Sequence, residues 1–200
     1  KRLFYTKCNS FYKLKTNKRI NSYLSKNSFY DKIKFINNQK VDKIKNILKK
    51  VPWKKLSKGV PVRFHGDLHF ENILKTKNHF IFLDWRQDFN KEKKYGDIYY
   101  DLSKLMHGIF VSHKEVHKNN FKVMKKGKNV SISIKRNKEL IIAEELFKKW
   151  LIKNNYDLNK VMILTALIYL NICSLHHFPY NNFLFLLGKK MLEENLSNDS

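Results

Sequence analysis

Asp67, Asn72 and Asp84 are three oxygen-bearing side chains whose spacing brings chemistry within reach. Asp67 and Asn72 lie five positions apart in His65-Gly66-Asp67-Leu68-His69-Phe70-Glu71-Asn72-Ile73-Leu74, and Asp84 follows in Phe82-Leu83-Asp84-Trp85 after one hairpin's length of chain. A carboxylate, an amide and a second carboxylate converging on one point form a hard-oxygen donor set, the kind that holds Mg²⁺ against phosphates. An Asp beside such a set can orient or deprotonate an attacking hydroxyl. The pattern points to metal-assisted phosphoryl transfer.

Those residues need a scaffold. Residues 59–64 read as a short strand leading into His65, and residues 73–74 and 80–83, on either side of Thr76-Lys77-Asn78, read as a hairpin that returns Asp84 toward Asn72. Residues 86–95 are polar and suit a loop beside the site. Asp97 fits the N-cap of a helix to about residue 107, with Ile98, Leu102, Leu105 and Met106 on its apolar face. Residues 121–125 and 130–135 flank Lys126-Gly127-Lys128-Asn129 and predict a second hairpin, expected as an exposed insertion. Asn137, then Asp157 or Asn159, are placed to cap two further helices, and Pro179 precedes a last one. Upstream, Ile33, Ile36, Val41, Ile44, Ile47 and Leu48 recur at near-helical spacing and predict one or two amphipathic helices ended by Pro52. Residues 1–20, basic and aromatic without clear period, read as a linker or as the frayed remainder of an upstream segment.

With 42% hydrophobic residues among 200, the chain is too apolar for disorder and long enough for a domain core. Its formal charge of +24, from 41 basic against 17 acidic residues, calls for an anionic partner: nucleic acid, a membrane surface or a phosphate-rich ligand. Lysine is spread over the whole chain while arginine is confined to Arg2, Arg19, Arg63, Arg86 and Arg136, so a generally basic surface is expected rather than a dedicated nucleic-acid site. Cys8 and Cys173 share no metal or redox spacing, which fits a reducing cytoplasm. The most apolar run, residues 161–173, falls short of the roughly twenty residues that span a bilayer and reads as a buried helix, so no transmembrane segment is expected. His65 and His69 lack a Cys or carboxylate partner set, and zinc is not expected.

The ordered set of HGDLHFENIL (65–74), Leu83-Asp84-Trp85 and Gly96-Asp97-Ile98-Tyr99-Tyr100-Asp101-Leu102 resembles the aminoglycoside phosphotransferase and choline kinase family, small-molecule relatives of the protein kinases. The likeness is sharp over residues 60–110 and general elsewhere. It implies that Asp67 is the catalytic base, accepting the proton of a substrate hydroxyl, and that Asn72 and Asp84 hold Mg²⁺ at the nucleotide phosphates. His65 would hold the loop by hydrogen bonding and Asp101 would buttress it. His69 and Arg86 are placed to touch substrate or phosphate, and Glu71 is expected to face solvent. In such enzymes C-terminal helices help line the acceptor pocket, where His176-His177-Phe178-Pro179-Tyr180 falls, although core packing is its plainer role.

The implied fold is α+β: a mainly helical C-terminal lobe of a protein-kinase-like fold over residues 58–200, with small β-hairpins carrying the catalytic loop, preceded by a basic, helical segment over residues 1–57. The implied activity is transfer of the γ-phosphoryl group of ATP, with Mg²⁺, to a hydroxyl of a sugar, an aminoglycoside or a choline-like amino alcohol. The first 60 residues contain neither a glycine-rich phosphate loop nor a strand-borne lysine with a helical Glu partner, so the nucleotide-covering lobe is expected upstream of Lys1. That departure and the +24 charge leave a second reading open, a kinase-like basic binding or regulatory module without catalysis. A protein kinase comes third, because its loop normally carries Arg between His and Asp, where this chain has Gly66. No motif specifies the acceptor or an oligomeric state.

Overall fold

Residues 2–27 are helical throughout, although residues 1–20 show no clear apolar period. In the computed structural model, which describes residues 2–197, α1 (Arg2–Asn9) runs through a π turn (Ser10–Leu14) into α2 (Lys15–Asn27). The wider π turn inserts an extra residue and shifts the helical register, so Phe11 and Tyr12, adjacent in sequence, are both buried along with Cys8, Thr16, Ile20 and Tyr23. A register change of this kind conceals the apolar period. Lys1 and residues 198–200, the outer ends of the two expected segments, lie outside the described residues.

The order continues with β1 (Phe35–Ile36), β2 (Gln39–Lys40), α3 (Ile44–Lys50), α4 (Trp53–Leu56), β3 (Pro61–Val62), β4 (Ile73–Lys75), β5 (Phe80–Phe82), β6 (Gly96–Asp97), α5 (Ile98–Phe110) and α6 (His113–His117). It closes with β7 (Phe121–Lys126), β8 (Asn129–Ile134), α7 (Lys138–Lys153), α8 (Leu158–Ile172) and α9 (Tyr180–Ser197). The chain is α+β, about 59% helical with small sheets. Asn137 and Asp157 cap α7 and α8, their side chains accepting from Leu140 N and Lys160 N.

Only part of the amphipathic pattern upstream of Pro52 is helical. Ile33, Ile36 and Val41 are buried around a hairpin instead, because Asn37 and Asn38 both adopt positive φ (49° and 66°) and close a two-residue turn between β1 and β2. The β7–β8 hairpin is not an exposed insertion either. β8 pairs in parallel with β1, matching Phe35 to Asn129, and the sheet order is β2-β1-β8-β7. The Asn37 amide donates to Ile132 O (2.9 Å) and accepts from Ile132 N (2.7 Å), while Phe121, Val130 and Ile132 are buried.

One apolar cluster runs from Cys8 to Leu192, crossing residue 57 without a gap. Its centre is α8, packed against α5, α9 and α2. The window Leu158–Leu175 has a mean hydropathy of 1.6 and is long and apolar enough to cross a membrane, yet 61% of it is buried within the fold, as expected of a core helix. At Gly188 a Cβ would lie 2.9 Å from Ala166 O, so α9 rests directly on the α8 backbone.

Candidate active site

The loop at His65 is held from below by two carboxylates on the start of α5. β3 pairs with β6, setting Pro61 against Asp97 and Val62 against Gly96. Asp97, fully buried, caps α5 by accepting from Tyr99 N (3.2 Å) and also accepts from Val60 N (2.9 Å) and Tyr12 Oη (2.7 Å). One turn on, Asp101 accepts from His65 N and Gly66 N, both at 2.7 Å. Burial pushes the Asp101 carboxyl up, and these two N–H groups partly offset that. Asp101 thus ties the start of α5 to the backbone of the loop.

Gly66 has φ +83°, and a Cβ there would fall 2.7 Å from Arg86 Cβ and from the Phe64 ring. Left-handed backbone and lack of space together exclude an arginine at this position. His65 is buried, its Nδ1 accepts from Asp67 N (3.2 Å), and its carbonyl accepts from Arg86 N (2.8 Å). Arg86 is thereby fastened to the loop.

Asp67 has a partner that sequence reading missed. Lys104 Nζ lies 2.7 Å from Asp67 Oδ1, and the lysine is only 7% exposed. Lys104 follows Asp101 by three positions, so the two share the face of α5 turned to the loop; that spacing was the available signal. His69 Nε2 stands 3.7 Å from Asp67 Oδ2. Burial alone would raise the Asp67 carboxyl, but His69 and Lys104 outweigh it and hold it well below the usual carboxylate range.

Asn72, also buried, donates from Nδ2 to Asp67 O (3.0 Å) and lies 3.3 Å from His69 Nε2, which leaves its amide oxygen as the atom able to meet a cation. β4 and β5 form the expected hairpin, with Ile73 opposite Phe82, and Leu83 N donates to Asn72 O (2.9 Å). Asp84 follows at once, exposed and at φ +53°, a left-handed conformation that Asp tolerates better than most residues. The fold therefore gathers His65, Asp67, His69, Asn72, Arg86 and Asp101 around one loop and sets the Asp84 segment beside Asn72 through a main-chain bond. The Asn72 amide oxygen is a hard donor of the kind Mg²⁺ accepts.

Beside the loop, Lys15, Lys18, Arg86, Gln87 and Asp88 line a cavity of about 630 Å³. Burial, then the positive charges of Arg86, Arg19 and Lys104, push the Lys15 ammonium down to about 8 against the pull of Asp67. Cations crowded to this degree make a site that an anion relieves. The N-terminal helices reach it through Phe89, fully buried in the otherwise polar segment 86–95, whose ring sits 4.3 Å from Phe11. Comparison with protein-family models, curated proteins and solved structures finds no match for the chain. The site's own chemistry is what bears on function.

A second feature borders the loop. Glu71, although its side chain is 45% exposed, accepts from His69 Nδ1 at 2.8 Å, and with Asp67 it raises the His69 imidazole to about 9. The 175–179 segment is exposed, with Phe178 77% accessible, and only Tyr180 packs inward, on Phe121 and Phe183.

His107, on α5 behind the loop, is 2% exposed and neither ring nitrogen has a hydrogen-bond partner. Burial, followed by the charges of Lys104, His113 and His69, holds it well below its ordinary pKa, so the folded chain keeps it neutral. The unfolded chain binds a proton there as pH drops below about 6.5, so stability is lost on acidification. Urea unfolding of His107→Phe should lose about 1–2 kcal/mol less than wild type between pH 6.5 and 5. Equal pH slopes in the two proteins would refute this.

Proposed function

We propose that this chain is the catalytic lobe of an ATP-dependent phosphotransferase of the aminoglycoside phosphotransferase and choline kinase type, with a protein-kinase-like fold, acting on a hydroxyl of a small molecule. The observation that supports it most is the ring of cations around the Asp67 loop. Lys104 touches Asp67, Arg86 is bonded to the loop backbone, and Lys15 lines a cavity with Arg86 and feels the charge of both cations. Phosphoryl transfer requires little covalent chemistry from the protein beyond positioning and charge stabilisation. Here Asn72 and Asp84 would hold Mg²⁺, Lys15 and Arg86 would meet the phosphates, and Asp67 would orient the acceptor hydroxyl. With its carboxyl held well below the usual range by His69 and Lys104, Asp67 stays ionised at neutral pH and is able to accept a hydrogen bond from the acceptor hydroxyl. The reading includes a reducing, cytoplasmic setting, in which Cys8 and Cys173 stay as the buried free thiols seen here.

The Asp67–Lys104 pair also lends weight to a second reading, a basic binding module whose would-be base is locked. Titration of the full-length protein with ATP separates the two. Phosphotransferase chemistry requires Mg²⁺-dependent binding that weakens about 10-fold or more in Lys15→Ala and in Arg86→Ala, as expected for the loss of a charge-assisted hydrogen bond. Binding that is indifferent to Mg²⁺ and to both substitutions would favour the module and sink the enzyme.

A further inference from the structure

His69 and Glu71 lie two positions apart, and the fold brings the distant His113 to them. His69 and Glu71 lie on the turn that follows Asp67, and His113 opens α6. Glu71 sits between the two imidazoles: Oε2 is 2.8 Å from His69 Nδ1 and Oε1 is 3.6 Å from His113 Nδ1. One donor atom from each of the three lies within 4.8 Å of the others. Donors bound to a single zinc at about 2.0–2.2 Å stand roughly 3.3–3.6 Å apart in tetrahedral geometry, so small side-chain rotations close the set.

We infer that His69, Glu71 and His113 form a site for a borderline divalent metal of the Zn²⁺ class, separate from any Mg²⁺ position at Asn72 and Asp84. Two imidazoles and one carboxylate select zinc, cobalt, nickel or copper over magnesium, which favours oxygen donors alone. Three protein ligands leave a fourth position open to water or to a further ligand. Access is available, since the side chains of His113 and Glu71 are 36% and 45% exposed, whereas His69 is held at 12%. Behind the set, the buried His107 ring packs at right angles to His113 with ring centroids 6.2 Å apart.

The outer contacts are suited as well. With Nδ1 on the metal, His69 turns Nε2 toward Asp67 Oδ2 (3.7 Å), the carboxylate–imidazole–metal order that fixes a ligand's tautomer and orientation. The metal would tie the turn carrying His69 to α6 and thereby set the position of the loop. The site does not depend on the phosphotransferase reading and holds equally for a binding module.

The test is titration of the full-length, chelator-treated protein with Co²⁺, read by the visible absorption of a four-coordinate centre, followed by displacement with Zn²⁺ and challenge with excess Mg²⁺. One equivalent should bind, Zn²⁺ should bleach the band and Mg²⁺ should leave it unchanged. His113→Ala and Glu71→Gln, both at partly exposed positions, should each weaken affinity by about 10-fold or more, with the far-ultraviolet circular dichroism of wild type. The double variant His176→Ala/His177→Ala removes a neighbouring imidazole pair and should bind as wild type does. Absence of a Co²⁺ band, or wild-type affinity in His113→Ala, would overturn the site. Loss of binding only in the His176/His177 variant would overturn it too, placing the metal at those surface histidines.

Discussion

On the proposed phosphotransferase reading, Asp67→Asn is expected to lower ATP-dependent phosphorylation of the acceptor by about 10²–10⁴-fold, the usual cost of losing a general base. The amide matches the carboxylate in shape, and its oxygen can still accept from Lys104 Nζ, now 2.7 Å from Oδ1, so the loop should keep its position. Asn72 is held through the main-chain oxygen of residue 67, which the substitution leaves in place, and the Mg²⁺ position should survive with it. The deficit should therefore appear in kcat, with nucleotide affinity near the wild-type value. Turnover measured against a panel of sugars, aminoglycosides and amino alcohols is the check. An enzyme confirmed as active whose rate is unchanged by the substitution would not use Asp67 as its base.

Asp101→Ala should have the largest effect on stability. The Asp101 side chain is buried and is the acceptor for two buried backbone donors, His65 N and Gly66 N. Hydrogen bonds to a charged group contribute about 1.5–3 kcal/mol each, so losing both should cost about 3–5 kcal/mol in urea unfolding at neutral pH. Asp101→Asn tests the same point more finely. Its amide retains one accepting oxygen but turns an N–H₂ group toward the other donor, so the loss should be intermediate and the loop should still be displaced. A loss below about 1 kcal/mol in the alanine variant would show that water or another side chain can take over the two donors.

The loop's local parts were legible because each depends on residues close together in sequence. Asp97, Asn137 and Asp157 act as caps where expected, since an N-cap requires only a short polar side chain within a few residues of the N–H groups it satisfies. The β4–β5 hairpin, with its turn near Thr76-Lys77-Asn78, is local in the same sense. Failures came where register or distance intervened. The π turn at Ser10–Leu14 broke the helical period of the N-terminal segment, and the parallel pairing of β1 with β8 joins residues too far apart for any pattern to announce.

The sequence by itself determined that Asp67, Asn72 and Asp101 meet at one loop, because spacing within a loop and along one helix face limits where those groups can go. Tertiary structure alone decided what surrounds that set. Lys104 against Asp67, Lys15 and Arg86 beside one cavity, and His113 opposite Glu71 all come from separate elements whose meeting depends on packing. Those neighbours set the charge on Asp67 and the kind of ligand that can approach it, since electrostatic coupling follows distance in space rather than in sequence.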